Sequence, residues 1–208
     1  MSKLVISSLL SFFLVNPLFT QFQNVLVSNL YYPNEVSIMI NPKNPNQMVV
    51  GSNILYFGAD TSLSGYYYSS NGGLNWTGGI LRSNVARPSG DPVILVDTSG
   101  NFHFLQNSNY AVNPRWWDRE LIMKSTNGGM NWSNGEAIGF DSLTVQDKPW
   151  GCVDFSNSPY GNSIYVTWSR FSEYRNPPPL DSSIIMFSRS VNGSQYNWSS
   201  PVRISQLS

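Results

Sequence analysis

The chain has 208 residues, 12 of them basic and 12 acidic, so its formal net charge is zero. Without a basic excess an electrostatic nucleic-acid binder is excluded, and an apolar fraction of 41% argues against intrinsic disorder. A single cysteine excludes a disulfide framework and a multi-cysteine metal site.

Residues 1–20 have the layout of a secretory signal peptide. Lys3 precedes an apolar run over residues 4–15, and an Asn-Pro pair then interrupts it. A hydrophobic segment of about 7–15 residues is typical of a signal peptide, and a membrane-spanning helix needs roughly 20. A buried N-terminal strand or helix is the alternative interpretation. The sequence therefore predicts a secreted or cell-surface protein, with no membrane span after removal of the signal peptide.

One motif, Ser-x-Asn-x-Gly-x-x-Trp, repeats along the rest of the chain. Residues 69–76 read SSNGGLNW and residues 125–132 read STNGGMNW, so the two copies start 56 residues apart. A third copy at residues 190–198, SVNGSQYNW, has one inserted residue and a serine in place of the second glycine. We call these three segments the box motifs.

A second element repeats with the same period. Residues 35–41, 91–97 and 148–154 read EVSIMIN, DPVILVD and KPWGCVD. The third unit is longer than the other two, and we place its insertion at residues 173–180, where three prolines cannot join a strand ladder. Two elements with one period predict three structural repeats.

Each repeat has the pattern of β-structure. Short runs of β-branched and aromatic residues are bounded by turn residues, and the Asn-Gly pairs of the box motifs predict tight turns between two strands. A unit of this length accommodates four strands, and four-stranded units in radial repetition form a β-propeller. The sequence predicts an all-β propeller over residues 21–208, with four-stranded antiparallel blades at about 34–83, 90–139 and 147–205.

Three blades are fewer than a closed propeller contains, since propellers typically have about 4–8 blades. We therefore expect the propeller to be incomplete, with the missing blades supplied by a longer chain or by a second chain.

The box motif resembles the Asp-box, or bacterial neuraminidase repeat, of exported sialidase-like propellers, and the resemblance extends over about residues 34–205. In that family the box is the turn between the third and fourth strands of a blade. Its polar third residue bonds the turn backbone, and its Trp packs into the blade. The resemblance implies these structural roles for Ser69, Asn71, Gly73, Trp76, Ser125, Asn127, Gly129, Trp132, Ser190, Asn192 and Trp198.

In a propeller, the segments just before the inner strands line the mouth. This position makes Glu35, Asp91 and Asp147 candidates for catalysis, since two carboxylates could flank a glycosidic bond. Candidates for substrate binding are the nearby cations and a loop that reads RWWDRE, namely Arg87, Lys148, Arg115, Trp116, Trp117 and Arg119.

Two observations favour alternatives for these residues. Acids before inner strands also cap turns, and two adjacent tryptophans also fit a strand with one Trp on each face. The sialidase family begins its three-arginine carboxylate clamp with an Arg-Ile-Pro sequence before the first inner strand. Residues 31–35 occupy that position here and contain no arginine, so no triad is assigned.

The single cysteine and the single histidine do not form a predicted site. Cys152 lies in an alternating apolar run and is expected to be a buried, inert thiol, and His103 lies in a predicted strand. No cofactor and no metal site are predicted.

These observations predict an exported sialidase-like propeller that binds glycans or cell-surface proteins without catalysis. The alternative is a glycoside hydrolase of the exo-sialidase type, or a fragment of one; a truncated product without an independent role is a third hypothesis.

Overall fold

A computed structural model of the chain describes residues 23–55, 62–110, 117–173, 182–191 and 195–206. The predicted signal peptide, Arg115, Trp116, Asn192 and nearly all of the proline-rich insertion lie outside these ranges. The described residues form thirteen strands. They include no helix of the length and apolarity needed to cross a membrane.

The strands form three antiparallel sheets that follow one another along the chain. The first sheet consists of β1 (Asn34–Ile40), β2 (Met48–Leu55), β3 (Ser62–Ser69) and β4 (Thr77–Ile80). The second consists of β5 (Arg87–Pro88), β6 (Val93–Val96), β7 (Phe102–Asn109), β8 (Arg119–Ser125) and β9 (Glu136–Ile138), with both β5 and β6 paired to β7. The third consists of β10 (Val145–Val153), β11 (Ile164–Phe171), β12 (Ser183–Ser190) and β13 (Val202–Arg203).

The core lies between neighbouring sheets. Val49 of the first sheet packs in one buried cluster with Phe104 of the second, and Leu105 of the second packs in another with Trp168 of the third. Gly51 allows the first two sheets to approach closely, because a Cβ atom there would lie 2.8 Å from the ring of Phe104. Successive residues of β7 thus face opposite neighbours, as the alternation of a strand requires.

In each sheet the box motif lies between the last two strands. Ser69 Oγ accepts from the Gly73 amide at 2.9 Å, and Asn71 Oδ1 accepts from the Asn75 amide at 3.0 Å. The second box motif repeats both bonds at the same distances. In the third, Ser190 Oγ accepts from an amide that lies seven residues on. These side chains satisfy backbone donors that a tight turn leaves unpaired.

Two tryptophans of the box motifs, Trp132 and Trp198, pack against the apolar clusters between sheets. The ring of Trp132 lies edge to face with Phe104 and with Tyr66 of the first sheet, at centroid distances of 5.6 and 6.0 Å. A box motif therefore helps to join its own sheet to the preceding one.

The expectation that Cys152 is buried is wrong, because the thiol is exposed. Cys152 pairs with Tyr165 on β11, whereas its neighbour Gly151 faces Leu95 of the second sheet. Alternation along the strand therefore turns Cys152 to the opposite face of the third sheet, which no described sheet covers.

Candidate functional site

The same backbone conformation occurs at one equivalent position in each sheet. Glu35, Asp91 and Lys148 have φ angles of 47°, 49° and 52°. The left-handed region is uncommon for residues other than glycine and costs of order 1–3 kcal/mol, and it persists where the surrounding structure fixes it. Each of these residues interrupts the first strand of its sheet. Glu35 and Lys148 lie at register shifts in β1 and β10, and Asp91 lies in the gap between β5 and β6.

The three interruptions bring their side chains together. Lys148 Nζ forms an ion pair with Glu35 Oε2 and lies 3.3 Å from Asp91 Oδ1. We call Glu35, Asp91 and Lys148 the mouth cluster. Its Lys148 and Glu35 side chains are 63% and 47% exposed, whereas Asp91 is 12% exposed. Burial by itself lowers the pKa of Lys148, but the hydrogen bond to Glu35 and the charge of Asp91 outweigh it and raise the pKa above its usual value.

Two asparagines from the second strands hold the acids in place. Asn53 Oδ1 accepts from the Asp91 amide at 2.6 Å. Asn107 Nδ2 donates to Asp91 Oδ2 at 3.0 Å and to Asp147 Oδ1 at 3.1 Å. Asp147 Oδ1 also accepts from the Lys148 amide at 2.8 Å. Each asparagine therefore fixes the opening of the sheet that follows its own, and neither was predicted from the sequence.

Glu120 is a further residue that the sequence analysis missed. It pairs with Asn107 in the sheet and is fully buried, and neither of its carboxyl oxygens has a hydrogen-bond partner. Burial raises the pKa of Glu120 well above its usual value, and the charges of Asp147 and Asp91 raise it further. Burial without a hydrogen-bond partner favours the neutral form of a carboxyl group.

An open cleft of about 280 Å³ lies over the mouth cluster. Besides the cluster, its lining includes Trp150, whose side chain is 70% exposed. An aromatic ring presents a rigid apolar face, and here charged groups lie beside it. Trp150 was not a candidate in the sequence, where it belongs to a regular strand pattern.

The other predicted residues that the structure describes do not join the mouth cluster. Arg87 Nε donates to Asn109 Oδ1 at 3.1 Å, and Trp117 Nε1 donates to Ser89 Oγ at 3.2 Å. Arg119 forms two hydrogen bonds with the neighbouring carboxylate of Asp118 and lies 4.3 Å from the centre of the Phe140 ring. The structure thus brings together Glu35, Asp91, Asp147 and Lys148 and leaves Arg87, Trp117 and Arg119 apart.

Metal ligands are not grouped in this region. Within the described ranges, no three histidine, cysteine, aspartate or glutamate side chains lie close enough together to hold a metal ion.

Several solved structures share this fold. A Hadza microbial sialidase superposes with a TM-score of 0.56 at 15% identity, over 80% of this chain and 36% of its own. An α-L-arabinanase from Penicillium chrysogenum gives 0.56 at 13% identity, over 84% and 50% of the two chains. A protein of unknown function from Dyadobacter fermentans gives 0.57 at 12% identity, over 84% and 56%.

No protein-family model and no curated protein matches the chain. At such low identities the structural likeness shows the fold alone, and it confirms the predicted β-propeller of four-stranded antiparallel blades. The chain spans 36% to 56% of the length of the three structures described above.

Proposed function

We propose that the chain is an exported, non-catalytic glycan-binding propeller, whose sugar ligand lies over the mouth cluster and against Trp150. One observation carries the proposal: three blades place Glu35, Asp91 and Lys148 around one cleft in which an aromatic ring is exposed.

Sugars require both polar and apolar contacts. Carboxylate oxygens accept hydrogen bonds from hydroxyl groups, and an ammonium group donates them. The face of a Trp ring covers the apolar side of a sugar ring. The left-handed backbone and the asparagine bonds hold these groups in place before a ligand arrives, which reduces the entropic cost of binding. That propellers of this shape include a sialidase and an α-L-arabinanase also supports a sugar ligand.

The environment of the acids favours binding over hydrolysis. Hydrolysis of a glycoside needs a carboxylic acid that can protonate the leaving oxygen. Glu120 has the raised pKa that such an acid needs, but it is fully buried. Glu35 and Asp91 share the Lys148 ammonium group, and Asp147 is held by Asn107 and by a backbone amide.

One observation favours the broader alternative, a glycoside hydrolase that uses two carboxyl groups. The same Asn107 nitrogen binds a carboxylate oxygen of Asp91 and one of Asp147, so these two groups lie close together. Retaining glycosidases place their two carboxyl groups about 5–5.5 Å apart.

The two functions can be separated with the full purified chain. We expect binding on a glycan array and no release of product from chromogenic sialosides or arabinosides. Trp150→Ala should reduce affinity for the array ligand at least tenfold, whereas Phe155→Ala, which removes a ring that is also exposed (56%), should leave it unchanged. Turnover that disappears in Asp91→Asn or Asp147→Asn would establish the hydrolase instead. Absence of both glycan binding and turnover would contradict both functions.

A further inference from the structure

We propose that the mouth selects sugars that carry an ammonium group over sugars that carry a carboxylate group. This inference rests on the proposed function and names the class of ligand: a glycan with free amino groups, such as a 2-amino-2-deoxy sugar.

The balance of charge around the cleft carries the inference. Asp91 and Glu35 line the cleft, and Asp147 is joined to Asp91 through the amide group of Asn107. Two carboxylates therefore pair with the one ammonium group, that of Lys148, and a third, that of Asp147, shares the Asn107 amide group with Asp91. Glu120 is left out of this count because burial favours the neutral form of its carboxyl group. On a chain whose formal net charge is zero, the mouth is thus a local concentration of negative charge.

Among the described residues, the lining of this cleft offers a ligand carboxylate no cation other than Lys148. No arginine lines it among the described residues, and Arg87 and Arg119 are bonded to Asn109 and Asp118 elsewhere. Lys148, the one cation present, already contacts Glu35 and Asp91. A ligand carboxylate would have to displace these contacts while it approached two like charges.

A ligand ammonium group is attracted by the carboxylates of the cleft. The Glu35 side chain is 47% exposed, so its carboxylate is accessible to a ligand that enters the cleft. One favourable pair of unit charges 4 Å apart in bulk water corresponds to about a fivefold gain in affinity, and a like pair to a similar loss. The effect is screened by salt, since the Debye length is about 10 Å at 0.1 M ionic strength.

Three oligosaccharides of equal length test the inference: tetramers of glucosamine, N-acetylglucosamine and galacturonate, titrated calorimetrically into the full chain at pH 6 and low salt. We expect the glucosamine tetramer to bind at least fivefold more tightly than the N-acetylated tetramer, and the galacturonate tetramer at least fivefold more weakly. Glu35→Gln should remove most of the preference for the amine. Lys148→Gln should increase the preference several-fold, because the protein's own competing cation is lost.

Asp154→Asn is the matched control. It also removes one negative charge, but at the opposite end of β10, and the equivalent position of the first repeat is already an asparagine, Asn41. Galacturonate binding that equals or exceeds glucosamine binding would overturn the inference, as would an amine preference that Glu35→Gln leaves unchanged. If an N-acetylated or neutral glycan binds but charge has no effect, the proposed function stands and this inference fails. Absence of binding to every glycan contradicts the proposed function and this inference with it.

Discussion

A buried histidine joins the second and third blades through a hydrogen bond with a tyrosine hydroxyl group, and removal of that hydroxyl group tests the contact. His103 is fully buried on β7. Its Nε2 lies 3.3 Å from Asp97 Oδ2, and its Nδ1 lies 2.6 Å from the hydroxyl group of Tyr196, in the box motif of the third blade. The ionised Asp97 can only accept, so Nε2 carries the proton and Nδ1 accepts from the tyrosine.

Tyr196→Phe leaves the buried Nδ1 of His103 without a donor. An unsatisfied buried polar atom costs about 1–3 kcal/mol, so we expect the free energy of unfolding at pH 7.5 to fall by about 2 kcal/mol. Urea denaturation followed by tryptophan fluorescence measures the change. Tyr160→Phe is the control, since Tyr160 is 53% exposed, and it should change the free energy of unfolding by less than about 0.5 kcal/mol.

The same contact predicts a dependence on pH. Burial lowers the pKa of His103 below its ordinary 6.5, although the hydrogen bond to Asp97 opposes the shift and the charge of Lys124 adds to it. The unfolded chain therefore takes up a proton near pH 6.5 while the folded chain resists, so stability present above pH 6.5 is lost as the pH falls below it. Burial by itself raises the pKa of Asp97, but hydrogen bonds from His103 and Asn101 lower it overall. The loss of stability with falling pH therefore continues below pH 3.8.

The slope for one proton is at most about 1.4 kcal/mol per pH unit. Tyr196→Phe should flatten the dependence between pH 6.5 and 5, because the neutral histidine has lost the donor that favours it. Equal stability of Tyr196→Phe and Tyr160→Phe, or an unfolding free energy that does not fall between pH 7 and 5, would show that this contact does not join the blades.

Three further substitutions, one of them with a matched control, test other parts of the fold by the same denaturation assay. Gly51→Ala should destabilise by about 1–3 kcal/mol, because its Cβ meets the Phe104 ring at 2.8 Å, whereas Gly79→Ala, with a nearest contact of 3.4 Å, should be tolerated. Asn107→Leu should cost about 3 kcal/mol, since hydrogen bonds to charged groups are worth roughly 1.5–3 kcal/mol each and this residue donates two. Ser125→Ala should cost about 1 kcal/mol through the lost turn bond, and a neutral result would contradict the role of the box motif.

The repeat period accounts for what the sequence could predict. Two motifs at one spacing were sufficient to predict four-stranded antiparallel units, because alternating apolar runs and Asn-Gly turns are local signals. The same period placed Glu35, Asp91 and Lys148 at one position of the repeat, and the structure brings them together. Local signals thus predicted part of the site as well as the fold.

The missed residues depend on contacts between blades. Asn53, Asn107 and Glu120 are polar residues within strands, a pattern that equally fits a solvated face, and the packing of the next blade buries them. The sequence shows the inserted residue in the third box motif, but it does not show how the insertion changes the direction of the neighbouring side chain. Leu74 and Met130 at the corresponding position of the first two boxes are 69% and 44% exposed, whereas Tyr196 turns inward to His103.

The repeat fixes the positions of the mouth residues but not their chemical identities. A left-handed backbone at Glu35, Asp91 and Lys148 aims three side chains at one point, and the φ angles differ by only a few degrees although the residues are chemically different. The repeat therefore determines where the groups meet, and their identities determine the charge they present. Because a β-propeller can vary these positions without changing its blades, likeness of fold is compatible with different ligands. The acids and the paired lysine of this mouth are for that reason better evidence about the ligand than the shape of the propeller is.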